Sequence, residues 1–369
     1  MVANKAIHLA YFVTPHGFGH AARAAAVMNA LHQRDIALCF EIFTRVPEWF
    51  FRESLEAPYC YHELNTDVGM VQPDPLHEDL EGTLSRLRDL LPFSRSSLEY
   101  LSTQLHELDC RAVMCDVAAL GIAAARRAGL TSFLIENFTW DWIYEQYKDR
   151  EPRFGEYAGL LRPFYADVDN HIQTLPACNP GHADLVTPPA ARKPRHSRTE
   201  LRTRLGLHES DRMVLITMGG LRERFDFLEV LAQARDFTFV IPGASEKEEK
   251  RRNLLLLPHH NQYYHPDLVQ ASDVVIGKLG YSTLAETYQA GVPFGYIARD
   301  AYPEIPALAS FAQREKVGFS LPMDEFQTGE WVMELDENIH SFKNRGRSVP
   351  NGADVAAGYI REKLSLLMT

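Results

Sequence analysis

Residues 275 to 306, VIGKLGYSTLAETYQAGVPFGYIARDAYPEIP, constrain the fold more tightly than any other stretch of this chain. An apolar run reaches a turn at Gly280. A helix then spans Ser282 to Ala290 and stops at Gly291, and a second apolar run leads into an acidic loop. Strands joined by a crossover helix lie parallel, and the helix begins at the carboxyl edge of their sheet. In open α/β sheets ligands bind at that edge, and the unpaired N–H groups of a helix N-terminus there suit phosphate.

The same order opens the chain. Ala6 to Val13 (AIHLAYFV) is an apolar run fit for a buried strand, and Thr14 to His20 breaks it with two glycines. From Ala21, AARAAAVMNALHQR combines strong helix formers with apolar residues at helical spacing. Further strands are expected at Ala37 to Phe43, Ala112 to Cys115, Thr131 to Ile135 and, as the last of this half, His171 to Leu175. Helices are expected at Pro47 to Ser54, Ala118 to Ala128 and Tyr157 to Tyr165. Pro73 to Gly82 reads as a surface loop, and Leu84 to Leu108 as one long amphipathic helix interrupted at Pro92. Pro176 to His196 holds five prolines and a basic end, the composition of a linker. After it Ser197 and Glu200 form a capping box, RMVLIT forms a strand, and Met218-Gly219-Gly220 is a second glycine turn. The remaining strands are expected at Phe237 to Ile241, Leu254 to Leu257, Val274 to Ile276 and Phe294 to Ile297. Strand and helix alternate throughout, so the expected class is α/β: two Rossmann-like domains with parallel sheets. The expected boundaries are 1–180, a linker at 181–197, a second domain at 198–350, and a helix at 351–369 that can return to the first domain.

At 369 residues the chain has room for two such domains. A net charge of −11 argues against a sequence-independent grip on nucleic acid. Five cysteines without a CxxC pair argue for reduced, mostly buried thiols in a cytoplasmic protein. No apolar run reaches transmembrane length, so a membrane-bound substrate would have to be approached peripherally.

Six places could carry chemistry, each with a plainer alternative. In the first loop, His16 to His20, two glycines let a ligand near the backbone, and His20 could act as a general base or be a solvated loop histidine. Asp116 ends a strand of the same sheet and could orient His20, or cap the helix after Ala118. The segment from Glu136 to Tyr147 could be an aromatic acceptor wall, or Trp140 and Trp142 could simply pack between domains. Gly219, Gly220, Arg222 and Arg224 could hold a diphosphate, or be an ordinary turn with solvated arginines. Glu286 stands three residues after Thr283, which matches a capping box, and could instead bind the two hydroxyls of a ribose. Asp300 and Glu304 could bind sugar hydroxyls or lie in a solvated loop.

These pieces resemble the GT-B glycosyltransferase superfamily, and in particular the glycosyltransferase-like N-terminal region of the L-arabinokinases. The shared features are HGFGHAAR at His16 to Arg23, Trp140-Asp141-Trp142, GKLGYSTLAE at Gly277 to Glu286, and the loop from Arg299 to Pro306. The likeness covers nearly the whole chain, which ends about where the kinase portion of that family begins, so sugar phosphorylation is not implied. The Gly277 block is also similar to the donor site of the peptidoglycan N-acetylglucosaminyltransferase. That likeness implies Glu286 on the ribose, the helix from Ser282 facing the diphosphate, and His265, in the loop before Asp273, near the base. The expected donor set also includes Gly19, Lys278, Gly280, Thr283 and Glu304, and the expected acceptor set is His16, Asn137, Trp140 and Asp141. His20 and Asp116 are similar to the catalytic dyad of plant small-molecule glucosyltransferases, although the long plant donor signature with HCGWNS is absent.

The expected activity is transfer of a sugar from a nucleotide-diphosphate donor, a UDP-sugar by preference, to a small-molecule, glycan or lipid-linked hydroxyl. The reaction is expected to be inverting, with no metal and no cofactor beyond the nucleotide sugar. A 2-epimerase acting on a UDP-sugar and a non-catalytic sugar-nucleotide-binding module remain the alternatives.

Overall fold

The computed structural model describes residues 6–34, 37–73, 77–218, 227–299, 302–342 and 349–367. The chain divides into two compact units, residues 1–191 with 350–369, and residues 192–349.

In the first unit the strands are β1 (Ile7–Val13), β2 (Leu38–Thr44), β3 (Tyr59–Glu63), β4 (Cys110–Asp116), β5 (Thr131–Glu136), β6 (Asn170–Thr174) and β7 (Leu185–Thr187). Their helices are α1 (Gly19–His32), α2 (Glu48–Ser54), α3 (Leu80–Leu90), α4 (Arg95–Glu107), α5 (Ala119–Ala128), α6 (Trp140–Tyr147) and α7 (Arg153–Ala166). The second unit has β8 (Met213–Thr217), β9 (Thr238–Pro242), β10 (Glu249–Arg251), β11 (Leu254–Leu257), β12 (Val274–Lys278), β13 (Phe294–Ile297) and β14 (Gly318–Ser320). Its helices are α8 (Arg198–Arg204), α9 (Leu228–Leu231), α10 (His265–Ala271), α11 (Tyr281–Ala290), α12 (Ile305–Arg314), α13 (Met323–Thr328) and α14 (Leu335–Phe342). The last helix, α15 (Gly352–Leu367), belongs to the first unit.

Among the described residues the first sheet runs β3-β2-β1-β4-β5-β6-β7, parallel throughout. The second runs β10-β11-β9-β8-β12-β13-β14, parallel except for the short β10–β11 pair. Strand order reverses between β1 and β4 in one sheet and between β8 and β12 in the other. A doubly wound sheet opens its ligand crevice at that reversal, outside the carboxyl ends of the strands. The loop after β1 and the end of β4 therefore meet at one such point, and α11 starts at the other.

Several elements depart from the sequence reading for identifiable reasons. Part of the supposed loop from Pro73 to Gly82 is helix: Asp79 accepts from the Gly82 N–H and caps α3. The expected interruption of the helix from Leu84 to Leu108 at Pro92 is found: α3 ends at Leu90, and Ser94 starts α4 with its own cap. His171–Leu175 is not the last strand of its sheet, since residues 185–187 of the presumed linker pair with β6 as β7. A three-residue strand set among prolines offers no period-2 pattern to read. Two of the five thiols, Cys110 and Cys115, are buried; Cys60 is exposed, and Cys39 and Cys178 are half-buried, so the thiols are not mostly buried.

Close approach explains the alanines of α1 and a glycine of β12. Ala21, Ala24, Ala25 and Val27 of α1 share an apolar cluster with Ala353, Ala356, Ala357, Ile360 and Leu364 of α15. Small side chains let the two helices approach, and Ile360 and Leu364 supply about 1.5–3 kcal/mol each by burial. In β12, a Cβ on Gly277 would lie 1.8 Å from the Thr217 carbonyl oxygen on β8. Gly277→Ala is expected to destabilise the fold by about 1–3 kcal/mol through this overlap. Gly159→Ala, at an exposed position of α7 where a Cβ meets nothing within 4 Å, should stabilise by about 0.5–1 kcal/mol. Urea unfolding of the two variants checks both signs.

Candidate active site

In the first unit, the end of β1 and the start of α1 place His20 opposite Asp116 at the end of β4. Asp116 is fully buried, and His20 Nδ1 lies 2.8 Å from its Oδ1. Arg23, one turn along α1 from His20 and 1% exposed, completes the cluster. Its Nε donates to Asp116 Oδ2 at 2.8 Å and its Nη2 to Oδ1 at 2.7 Å, while its Nη1 donates to Asn137 Oδ1 at 2.5 Å. A bidentate guanidinium–carboxylate pair is the geometry that makes a buried charge tolerable. Burial alone pushes the Asp116 carboxyl up, but the Arg23 charge and then the His20 hydrogen bond outweigh it and hold it below its ordinary 3.8. With Nδ1 turned to a carboxylate, the other ring nitrogen, Nε2, has no partner among the described residues. An imidazole held in this way is arranged to take a proton at Nε2.

Asp116 is not a helix cap, since α5 begins at Ala119 with no side-chain cap. The following residue, Val117, has φ +62°, a left-handed conformation that costs a β-branched residue on the order of 1–3 kcal/mol. It is held there by a bridge to Val13 and by the Tyr165 hydroxyl, which donates to its carbonyl at 2.7 Å.

Around the pair lie rings. The His16 and His20 centroids are 6.5 Å apart, His16 meets Trp140 edge-on at 5.2 Å, and Phe138 meets His20 edge-on at 5.5 Å. Gly19 is the first residue of α1. Trp140 is buried and stacks on Tyr144 at 5.8 Å, so it packs inside this unit. Asn137 is buried as well and serves Arg23. Asp141, half-buried in the first turn of α6, has its carboxyl pushed above the ordinary 3.8 by burial.

Asp67 has no counterpart in the sequence reading. It is 8% exposed, accepts at Oδ1 from the Thr14 hydroxyl, and Trp140 Nε1 donates to that hydroxyl at 3.3 Å. Its Oδ2 is buried with no hydrogen-bond partner among the described residues. Burial, only partly offset by those hydrogen bonds, pushes the carboxyl up to about 7. Asp67 also lines a concavity of about 540 Å³ with Pro15, Arg45, Asn65 and Arg86.

In the second unit, β12 passes directly into α11 through Gly280, the N-cap residue. The amides of Tyr281, Ser282 and Thr283 start that helix at the carboxyl edge of the sheet, with Ser282 and Lys278 half-buried beside them and Thr283 buried. Glu286 is not part of a capping box, because α11 has no side-chain cap. Its buried carboxylate accepts instead from Arg192 Nε at 2.9 Å and pairs with His265 Nδ1 at 2.8 Å. Burial pushes this carboxyl up, and Arg192 with His265 more than reverse that, leaving it below its ordinary 4.5. His265 is the first residue of α10 rather than a loop residue. Arg192, in the stretch read as linker, lies over the Tyr264 ring at 5.3 Å. Glu304 is the N-cap residue of α12 and is buried. Gly219, Gly220, Arg222, Arg224 and Asp300 lie outside the described residues.

Of the partners found here, only Arg23 left a usable signal, since a residue three places after His20 on a helix shares its face. Asp67 and Arg192 lie in stretches with no period, and only the fold brings them to these carboxylates and hydroxyls.

No protein-family model matches the sequence. The L-arabinokinase of Arabidopsis thaliana is 28% identical over 367 residues, which is 98% of this chain and 35% of that protein. The chain thus spans about a third of the length of this relative. Among solved structures it is similar to the calicheamicin glycosyltransferase CalG4, with a TM-score of 0.64 at 14% identity over 98% of each chain. It is also similar to UGT2 of Phytolacca americana complexed with UDP-2fluoro-glucose and pterostilbene, with a TM-score of 0.63 at 12% identity over 98% of this chain and 100% of that one. MurG of Acinetobacter baumannii gives a TM-score of 0.57 at 14% identity, over 96% and 99%. The chain has the GT-B fold of glycosyltransferases, as expected from its sequence.

The buried carboxyls carry opposite pH signatures. Asp67 is raised on folding, so its contribution is full below its ordinary 3.8 and is lost as pH rises through about 7. Relative to Asp67→Asn, the wild type should therefore melt progressively lower on going from about pH 5 to about pH 8. Asp116 and Glu286 are depressed, and their stabilisation should fall away only on acidification below their ordinary values. Melting temperatures across this range, wild type against variant, give the sign.

Proposed function

We propose, from the GT-B fold that this chain shares with glycosyltransferases, that it transfers a sugar from a nucleotide-diphosphate donor to an acceptor hydroxyl. The observation that carries the proposal is the His20–Asp116 pair, buried, clamped by Arg23 and set at the strand-order reversal of the first sheet. In this reading His20 Nε2 takes the acceptor proton as the hydroxyl oxygen attacks the anomeric carbon. Asp116 keeps the ring oriented and stabilises the imidazolium. His16, Asn137, Trp140 and Asp141 form the acceptor side, with Asn137 and Trp140 acting through the residues they hold.

The donor is assigned to the second unit. The α11 N-terminal amides, with Gly280, Ser282 and Thr283, face the diphosphate, and Lys278 and the turn of Gly219, Gly220 and Arg222 add to its stabilisation as it leaves. These groups do the work a metal would otherwise do, so the reaction is metal-independent. Attack from the side opposite the leaving group makes it inverting. Glu286 is assigned to the ribose. Both of its oxygens are occupied, so donor hydroxyls must displace one partner. That partner is His265, 28% exposed against 8% for Arg192. Glu304 is placed on the donor sugar. A UDP-sugar is favoured because glycosyltransferases of this fold are known with UDP-glucose and with UDP-2fluoro-glucose bound. The acceptor is a small molecule, glycan or lipid-linked hydroxyl, and a cytoplasmic location fits a nucleotide-sugar substrate.

A thermal-shift panel of nucleotide sugars is the first test. A donor present at about 100 times its dissociation constant adds about 2.7 kcal/mol of stability, and no shift with any donor would count against the reading. With a donor and acceptor in hand, His20→Ala should lower kcat by about 10²–10⁴-fold without loss of donor binding. Unchanged turnover removes the pair from the mechanism. Glu286→Gln should weaken donor binding while the fold survives.

A further inference from the structure

Three neighbouring strands of the first sheet put five metal-binding side chains on one face. His8 lies on β1, Cys39 and Glu41 on β2, and Cys60 and His62 on β3, in a register that pairs His8 with Cys39 and Glu41 with Cys60. They alternate with Leu9, Leu38, Phe40 and Ile42, which face the apolar cluster under α1 and α15. This is therefore the opposite face of the sheet, and it is partly open: Cys60 is exposed, and His8 and His62 are half-buried. His8, Cys39 and Cys60 are each the second residue of their strands, while Glu41 and His62 lie further along. His8 lies five residue steps from Val13 at the far end of β1, roughly 15–20 Å. The cluster takes no part in the chemistry proposed for His20.

The geometry is that of a coordination site. A ring nitrogen of His8, the sulfur of Cys39 and a carboxylate oxygen of Glu41 all lie within 4.8 Å of one another. Cys60 is in hydrogen-bonding range of both Cys39 and Glu41. On its other oxygen, Glu41 Oε2, the carboxylate meets His62 Nε2 at 2.6 Å, while Oε1 meets His8 Nδ1 at 2.7 Å. Glu41 is 1% exposed. A buried carboxylate is paired or coordinates a metal.

We propose that this face binds one divalent ion of the zinc class, held by His8 Nδ1, Cys39 Sγ, Glu41 Oε1 and Cys60 Sγ. His62 acts through Glu41 by fixing the orientation of its carboxylate. Mixed nitrogen, sulfur and oxygen donors select a borderline-soft ion over magnesium or calcium. Tetrahedral bonds of about 2.0–2.3 Å place donors about 3.3–3.8 Å apart, so binding replaces the 2.7 Å His8 Nδ1–Glu41 Oε1 hydrogen bond by two metal bonds that hold these atoms further apart. Binding displaces the thiol protons of Cys39 and Cys60 to solvent and ties β1, β2 and β3 together.

The test uses the full chain, metal-stripped and kept reduced with a phosphine. Titration with Co²⁺, followed by displacement with Zn²⁺, should show one ion per chain and a thiolate-to-cobalt charge-transfer band. Cys39→Ser should abolish the band. His62→Ala should weaken Co²⁺ binding by about 10–100-fold while keeping the band. Should Cys39→Ser fail to fold by circular dichroism, Cys60→Ser, at an exposed position, carries the same test through a weakened band. No uptake by the reduced wild type overturns the proposal, as does uptake without the band, or a band unchanged in both cysteine variants.

Discussion

The first unit is organised around one buried carboxylate, that of Asp116. Asp116 reaches its position because β4 runs through the middle of the sheet and ends where the strand order reverses. Leaving a carboxylate there unpaired would cost several kcal/mol. Arg23 meets it with two hydrogen bonds from α1 and uses its third nitrogen on Asn137, beyond β5. One guanidinium thus ties together the ends of three segments: the helix after β1, the strand β4 and the loop after β5. His20 is presented by the same arrangement, and its ring is fixed because the carboxylate it faces is itself fixed.

The second unit solves a similar problem differently. Glu286 is buried inside a helix rather than at a strand end, and its partners come from α10 and from the segment before α8. Both carboxylates are held ionised by a guanidinium and an imidazole. The difference lies in what can exchange: the Asp116 clamp is sealed, whereas His265 is partly open to solvent. The strained backbone at Val117 belongs to the same contrast. A β-branched residue in the left-handed region persists only where its surroundings over-determine it, and here Val13 and Tyr165 hold it next to the carboxylate.

The alternation of strand, glycine turn and helix was legible in the sequence because each element carries its own period and its own punctuation. His20, Asp116 and Glu286 could be singled out because they sit at strand ends or one turn inside a helix, where the fold class alone says that side chains converge. Their partners could not be read in the same way. Arg192 lies among prolines and Asp67 in a stretch with no period, and both are defined by long-range packing. The capping reading of Glu286 failed for a local reason: with Gly280 as N-cap, Thr283 already lies inside α11, and the carboxylate turned to a charged partner instead. The short strands β3, β7 and β14 were missed because three to five residues hold too few alternations to separate a strand from a loop.

The placement of α15 bears on how the molecule can be made. The second unit is one uninterrupted run of chain, so its internal contacts are all available once residue 349 has been synthesised. The first unit is closed by a segment that comes after it. Until residues 353–364 emerge, the alanine face of α1 has no cover, and a stripe of small side chains offers too little surface to hold itself in place. On the ribosome the order of completion is therefore reversed from the order of translation: the half that begins first is the half that must wait.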